Sequence, residues 1–344
     1  MNHEIKKIFF VGLGGAGQRH LRIFNELLPY DVEFSAYRNL NKTPLLKSDF
    51  SIDERETLDT KYSLKLFNSL EKGLANSPDL IVISTPSSLH MEVAKKAAEK
   101  NTHLFVEKPF SHTLEHFDEF REIVLKNDLF FFVSFQRRFH PFFKQTKEFL
   151  SRNRIGNVIS AVFNVGSYVP DWHPYENYED LYACRKELGG GVLLTEIHEI
   201  DLCYWFFGLP NYIYCTGGNY SRKDIDVEDT AHLTLKYSAF SVQINLCFMQ
   251  KYNRRDFYIC GTDGYIEWEG RNNTHTIIDY QTDKKEITSD KEYSNEAMFV
   301  AQASYFLEDF SRTDKSYLDI AQASTAIVEA AKKSMVTGKE IALP

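Results

Sequence analysis

Along the first third of the chain, short apolar runs alternate with segments of helical spacing. Residues 8–11, 32–36, 80–84, 104–106 and 130–134 read as buried strands. Residues 19–28, 92–100 and 114–126 read as helices between them, the first stopped by Pro29. This alternation predicts a doubly wound α/β domain with a parallel sheet. Near residue 135 the rhythm changes. Leu233, Leu235 and Tyr237 alternate with His232, Thr234 and Lys236, and Phe240, Val242, Ile244 and Leu246 alternate with Ser241, Gln243 and Asn245. Period-two alternation marks strands with one buried face, as in an antiparallel or mixed sheet. Residues 158–165, 212–216, 257–260, 265–268 and 276–280 are further strand candidates. Phe299, Ala303, Phe306 and Phe310 fall on one helical face, and an Ala-rich helix follows over 317–334. With no internal repeat or low-complexity linker, the change of pattern is the predicted boundary, dividing the chain into 1–134 and 135–344.

Composition adds exclusions. A chain of 344 residues is long enough for two cores. A net charge of −8 and a pI near 5.8 argue against a nucleic-acid or acidic-membrane partner. Cys184, Cys203, Cys215, Cys247 and Cys260 are widely spaced, without a CxxC or Cys/His cluster, so neither a metal site nor a disulfide framework is expected. The stretch before the first strand is too short for a signal peptide, and no apolar run suffices to span a bilayer. The expectation is a soluble, cytoplasmic protein.

Between the first strand and first helix lies Gly12-x-Gly14-x-x-Gly17, in the strand-turn-helix context that a dinucleotide fingerprint requires. Gly12 permits the tight turn, Gly14 lets a pyrophosphate approach the backbone, and Gly17 lets helix and strand meet closely. The first-turn amides, with Gly15 and Ala16, face the phosphates. The rival is an ordinary glycine-bearing surface turn. At the end of the second strand stands Ala36-Tyr37-Arg38-Asn39, where an NAD site would carry an acid for the ribose 2′-hydroxyl. Arg38 attracts a 2′-phosphate instead, which favours NADP or tolerance of both cofactors; an exposed arginine is otherwise only a solvated charge. Thr85-Pro86-Ser87 either meets the cofactor or turns the chain.

Two further signals carry the chemistry. Glu107-Lys108-Pro109 closes the apolar run 104–106, placing an ammonium group at the carboxyl end of a strand, where ligands bind in open α/β sheets. Gly189-Gly190-Gly191 precedes a predicted helix on which Thr195, His198, Asp201 and Leu202 share a face. A lone histidine there is usually structural, but the glycine run and the upstream lysine shift the balance. Histidine suits taking a proton from an alcohol, and Lys108 suits holding the reacting oxygen.

In this order, the glycine fingerprint, Thr85-Pro86 with His90, Glu107-Lys108-Pro109 and the glycine run with His198-x-x-Asp201 resemble the Gfo/Idh/MocA oxidoreductases. The resemblance covers essentially the whole chain. It implies a Rossmann domain followed by an α+β domain with a large, mostly antiparallel open sheet. It also implies a cofactor site that includes His90 and Glu107, Lys108 and His198 as the catalytic pair, and a cis bond before Pro109. One departure stands out: where relatives place an aspartate one turn before the histidine, this chain has Leu194, so Thr195 or Glu196 would have to substitute. A branch with Tyr-Arg after the second strand and Trp-His-Pro before the glycine run, associated with bacterial surface-sugar pathways, is closer still. Here that segment is Trp172-His173-Pro174-Tyr175, with Arg185 following, and Gln136-Arg137 opens the second domain. Aromatic rings beside polar groups suit a sugar, and Arg185 suits a carboxylate or phosphate; the alternative is a loop anchored by Trp172. The expected protein is an NAD(P)-dependent oxidoreductase of a sugar, cyclitol or nucleotide sugar, forming a homodimer or homotetramer. Its rivals are a cofactor-retaining epimerase or lyase and a non-catalytic NAD(P) sensor.

Overall fold

The computed structural model describes residues 5–29, 31–38, 44–173, 176–310 and 314–344. Its first part runs β1 (Lys7–Val11), α1 (Gly15–Leu27), β2 (Glu33–Tyr37), α2 (Leu58–Lys61), β3 (Lys65–Phe67), α3 (Leu70–Ala75), β4 (Leu80–Ile83), α4 (His90–Glu99), β5 (His103–Glu107), α5 (Phe117–Lys126) and β6 (Phe131–Ser134). The six strands form a parallel sheet in the order β3-β2-β1-β4-β5-β6. Every residue of β4 and β6 is buried, which is why these strands read as unbroken apolar runs: helices cover both faces. The order reverses between β1 and β4, the switch point where a doubly wound sheet opens a crevice. β3 has no such run, since Lys65 and Leu66 are exposed at the sheet edge, and the pattern did not predict it. Nor did it predict α2 and α3. Helix starts also differ from those expected, with α1 at Gly15 rather than residue 19, α4 at His90 rather than 92 and α5 at Phe117 rather than 114.

Beyond Ser134 the chain continues through α6 (Pro141–Ser151), β7 (Val158–Tyr168), α7 (Val192–Thr195), α8 (His198–Phe207), β8 (Tyr212–Gly218), β9 (Thr230–Lys236), β10 (Ser241–Cys247), β11 (Met249–Gly261), β12 (Gly264–Glu269), β13 (Thr274–Asp279), β14 (Lys284–Ser289), α9 (Asn295–Asp309), α10 (Ser316–Thr337) and β15 (Ile341–Ala342). Its nine-stranded sheet has the order β14-β13-β12-β11-β7-β10-β9-β8-β15, antiparallel except where β7 and β10 pair in parallel. α6, β14 and β15 are additions to the predicted set. Phe163, Phe257 and Trp268 on the inner face meet Phe143 of α6 and Phe206 of α8. The opposite face exposes Tyr212, Tyr214 and Tyr258. The last helices return to the first sheet: Phe306 of α9 sits edge-on to Phe24 and Phe105, and Tyr317 of α10 lies 4.3 Å from Phe132.

Candidate active site

The glycine loop lies at the switch point. Gly12 has φ +87°, and a Cβ there would stand 2.7 Å from the Ser84 carbonyl; one on Gly17 would collide with the Gly12 carbonyl and the Ser84 hydroxyl. Gly14 differs, because a Cβ on it would meet nothing within 4 Å. That open space adjoins the start of α1, where no side chain caps the first turn. The amides of Gly15, Ala16 and Gly17 precede the first bond of the helix, from Gln18 N–H to the Gly14 carbonyl, so they are donors awaiting an acceptor. Gln18 also braces the loop, donating to the Leu13 and Pro44 carbonyls and accepting from Leu46 N–H. Arg38, just past β2, is half-buried; burial lowers its pKa and the Asp59 charge opposes that. Asn39, Pro174 and Tyr175 lie outside the described residues.

β5 delivers Glu107 and Lys108, and the Lys108–Pro109 bond is cis. Lys108 Nζ donates to the Thr195 carbonyl at 2.8 Å. The structure corrects the single helix expected over 195–202. α7 ends at Thr195, Glu196 leaves the helical path (φ −95°, ψ 33°), and α8 begins at His198. A carbonyl at a helix end lacks its intrahelical partner, and Lys108 supplies one. Two expected cofactor contacts are engaged elsewhere. His90 is buried with Nδ1 2.8 Å from the Pro109 carbonyl and Nε2 2.8 Å from the Thr85 carbonyl; burial lowers its pKa, so the neutral ring donates to one of the two turns and packs against the other. Glu107 turns its carboxylate to His20, at 2.6 Å. Thr85 keeps a buried hydroxyl without a partner, and Pro86 opens the short helical turn after it.

His198 is buried, with Nε2 3.3 Å from Gln136 Nε2 and Nδ1 without a partner. Burial, then the charges of Lys108 and Arg137, hold its pKa well below the usual histidine value, so the ring is neutral. The Thr195 hydroxyl, Gln136 Oε1 and Arg137 Nε are likewise buried without partners. Orphaned polar atoms are rare in folded proteins, and this many close to one histidine mark a place where a polar ligand would satisfy them. Leu194, at the position of the absent aspartate, is fully buried. Glu196 does not replace it: its carboxylate is bonded to Arg255 and accepts from Ser167 Oγ at 3.1 Å. Arg255 also holds Glu199, whose carboxyl is raised to about 8 by burial, with Arg137 opposing and Glu196 adding to the rise. Asp201 is engaged by Arg138 at 2.9 and 2.7 Å.

The structure thus gathers Lys108, Gln136, Arg137, Thr195 and His198. Trp172 instead lies edge-on to Phe248 at 5.2 Å, His173 bonds Glu176 at 2.7 Å, and Arg185 lies 3.7 Å from Asp180. The pattern missed His20, Ser134, Gln302, Arg255 and Glu199. Only His20 left a trace, as a histidine one helical turn past Gly17. Among the described residues no group of His, Cys, Asp and Glu is placed to hold a metal ion, and no helix is long and apolar enough to cross a membrane.

Residues 6–135 match the model of the oxidoreductase family with an NAD-binding Rossmann fold, and residues 143–267 match the GFO/IDH/MocA C-terminal domain. The chain belongs to the Gfo/Idh/MocA oxidoreductase family. It is 27% identical over 210 residues to the uncharacterized oxidoreductase YrbE of Bacillus subtilis, covering 58% of this chain and 59% of that one. It is 25% identical over 224 residues to levoglucosan dehydrogenase of Pseudarthrobacter phenanthrenivorans, covering 57% of each. The matches span less than two thirds of these relatives. Similar solved structures include levoglucosan dehydrogenase in complex with NADH (TM-score 0.82, 15% identity, 98% of this chain and 99% of that one). Another is the WlbA dehydrogenase from Bordetella pertussis with NADH and UDP-GlcNAcA (TM-score 0.78, 20% identity, 99% of each). At these identities the likeness is one of fold.

Proposed function

We propose that this protein is an NAD(P)-dependent oxidoreductase acting on a secondary alcohol or ketone of a sugar, cyclitol or nucleotide-linked sugar. The observation that carries the reading is the meeting of Lys108 with the Thr195 carbonyl beside a neutral His198, among polar atoms that lack partners. The residues present fit a dinucleotide: the free amides of Gly15, Ala16 and Gly17 and the open space at Gly14 suit its pyrophosphate, and the Thr85 hydroxyl suits its far end. When bound, the nicotinamide supplies the hydride acceptor or donor. In the oxidation direction, His198 takes the hydroxyl proton at Nδ1, the ring nitrogen with no bond of its own, with the ring in its Nε2–H tautomer and the Gln136 amide turned so that its oxygen accepts from Nε2. Lys108 uses the protons not given to Thr195 to hold the substrate oxygen as negative charge develops. Gln136 orients His198 through Nε2, and Arg137 and the Thr195 hydroxyl bond the remaining substrate oxygens. Trp172, His173 and Arg185 border the outer part of the substrate, a role that needs the loop around them to reach inward. The printed names of the relatives, a levoglucosan dehydrogenase among them, support a sugar-like substrate.

Arg38 favours NADP over NAD, because a guanidinium attracts a 2′-phosphate. The nearby Asp59 charge is its competitor. We place the protein in the cytoplasm, where free thiols such as buried Cys184 and Cys203 persist, as a homo-oligomer built on the open sheet face.

Two measurements test this reading. Nicotinamide-fluorescence titrations with NADH and NADPH should show tighter NADPH binding that Arg38→Ala abolishes; an unchanged NADH preference removes Arg38 as selector. Against a panel of sugars and cyclitols, Lys108→Met should lower kcat by about 10²–10³ with cofactor affinity retained. Wild-type kcat in that variant would exclude Lys108 from the chemistry.

A further inference from the structure

Outside the reacting groups, one buried histidine–glutamate pair grips the main chain that carries Lys108. His20 Nε2 stands 2.6 Å from Glu107 Oε1, with the histidine inaccessible and the carboxylate nearly so. Glu107 Oε2 accepts the Lys108 backbone N–H at 3.0 Å, Ser134 Oγ lies 3.4 Å from Oε1, and Gln302 Nε2 donates to Ser134 Oγ at 2.9 Å. Helix α1 and strand β6 therefore meet on one carboxylate, and helix α9 reaches it through Ser134. Phe105 and Phe299 flank the imidazole at 5.0 and 6.1 Å, leaving it little freedom to turn. Burial pushes the Glu107 carboxyl up, but the His20 bond and the charges of His20, Lys108 and Arg19 bring it down to about 2, so it is ionised. A buried carboxylate that loses one of its donors is strongly destabilised, so it holds them in a fixed geometry.

We propose that His20 is a positioning residue for Lys108: its hold on Glu107 fixes the Lys108 main chain and joins the helix that starts at the glycine loop to the lysine as one unit. The proposal rests on the reading of Lys108 as a reacting group. Lys108 is anchored twice, by Glu107 at its backbone N–H and by the Thr195 carbonyl at Nζ. A misplacement of about 1 Å at a reacting group costs on the order of 10² in rate.

The test uses His20→Leu, His20→Gln and Glu107→Gln in the full chain. Reductive methylation of Lys108, followed by peptide mass spectrometry, reports its anchoring without any substrate. NADH titration reports the cofactor site, and turnover of a sugar that the wild type oxidises reports the chemistry. His20→Leu is expected to methylate Lys108 at least about fivefold faster and to lower kcat roughly 10- to 100-fold, with the NADH Kd within about threefold of wild type. His20→Gln, whose amide still donates to Glu107, is expected to restore slow methylation and most of kcat. A His20→Leu protein that binds NADH and keeps both the wild-type methylation rate and kcat overturns the proposal. Should His20→Leu not fold, Glu107→Gln decides by the same two readouts. If wild type oxidises no sugar while Lys108 is still freed in His20→Leu, the proposed reaction fails and the positioning role stands.

Discussion

His275 lies against Phe142 with ring centroids 5.2 Å apart and bonds the Thr146 hydroxyl through Nε2 at 3.0 Å. Burial lowers its pKa to about 4, so the folded ring is neutral, whereas in the unfolded chain it titrates near 6.5. Between those values protons favour the unfolded chain. The stability His275 contributes is complete above about pH 6.5 and lost as pH falls towards 4, about 2 kcal/mol at pH 5. Urea unfolding of wild type and His275→Gln at pH 7 and pH 5 reads this directly: the variant should lose about 2 kcal/mol less between the two pH values. Equal losses would mean that the folded ring is protonated. His198 is neutral for a related reason, with two cations added to burial, and that keeps it a proton acceptor in mildly acidic solution. The sequence shows that histidines occupy these positions; their charge depends on how much of the fold closes over them.

At the scale of elements, two glycines of one loop make opposite predictions. Gly14→Ala adds a methyl to open space at an extended helix cap (φ −72°, ψ −167°), so stability should change by less than about 1 kcal/mol. NADH affinity should nonetheless fall at least about tenfold, because the methyl occupies room that a pyrophosphate needs. Gly17→Ala drives a methyl into the Gly12 carbonyl and should cost about 1–3 kcal/mol of stability. Thermal unfolding and NADH titration of both variants separate the effects; a Gly14→Ala protein with wild-type affinity would remove the cofactor from this loop. The spacing of these glycines was legible because a strand, a turn and a helix meet there within a few residues. The break between α7 and α8 was not. Thr195, His198 and Asp201 have helical spacing, and nothing local requires Glu196 to leave the helix; its carboxylate is drawn to Arg255 on a distant strand. Asp201 likewise went to Arg138, a partner far away in sequence.

At the scale of the whole molecule, the nine-stranded sheet has one face filled by α6 and α8 and another that carries Tyr212, Tyr214 and Tyr258 in solvent, with the Tyr258 and Tyr265 rings 4.9 Å apart. A broad tyrosine-rich face suits a second copy of the same surface, since tyrosine offers apolar area and a hydroxyl that tolerates partial hydration. Sedimentation velocity should find a dimer or tetramer in wild type and a smaller species in a Tyr214→Lys/Tyr258→Lys double variant. A monomeric wild type would eliminate the sheet-face assembly. The two halves of the chain are also less separate than the change of pattern near residue 135 suggests. Arg22 of α1 bonds Glu296 of α9 at 2.5 Å, and Gln302 of α9 reaches Ser134 at the end of β6. Helical periodicity revealed the apolar faces of α9 and α10, but a face does not name the surface it will meet.

What the sequence by itself determined are the features set by near neighbours. Continuous apolar runs mark the covered parallel strands, period-two alternation marks the open sheet, and the glycine spacing marks the turn into α1. Lys108 and His198 were legible as candidates as well, since each stands in a motif that a short stretch of chain carries. Only the tertiary structure decided which groups meet: Lys108 with the Thr195 carbonyl, His20 with Glu107, and Arg255 with Glu196 and Glu199. It also placed His90 between the Thr85 and Pro109 carbonyls and the Glu107 carboxylate on His20, contacts that no short stretch of chain could show. The physical reason is the range of the forces involved. Periodicity and turn chemistry act within a few residues, whereas a buried charge takes whatever partner the folded chain brings within hydrogen-bonding distance.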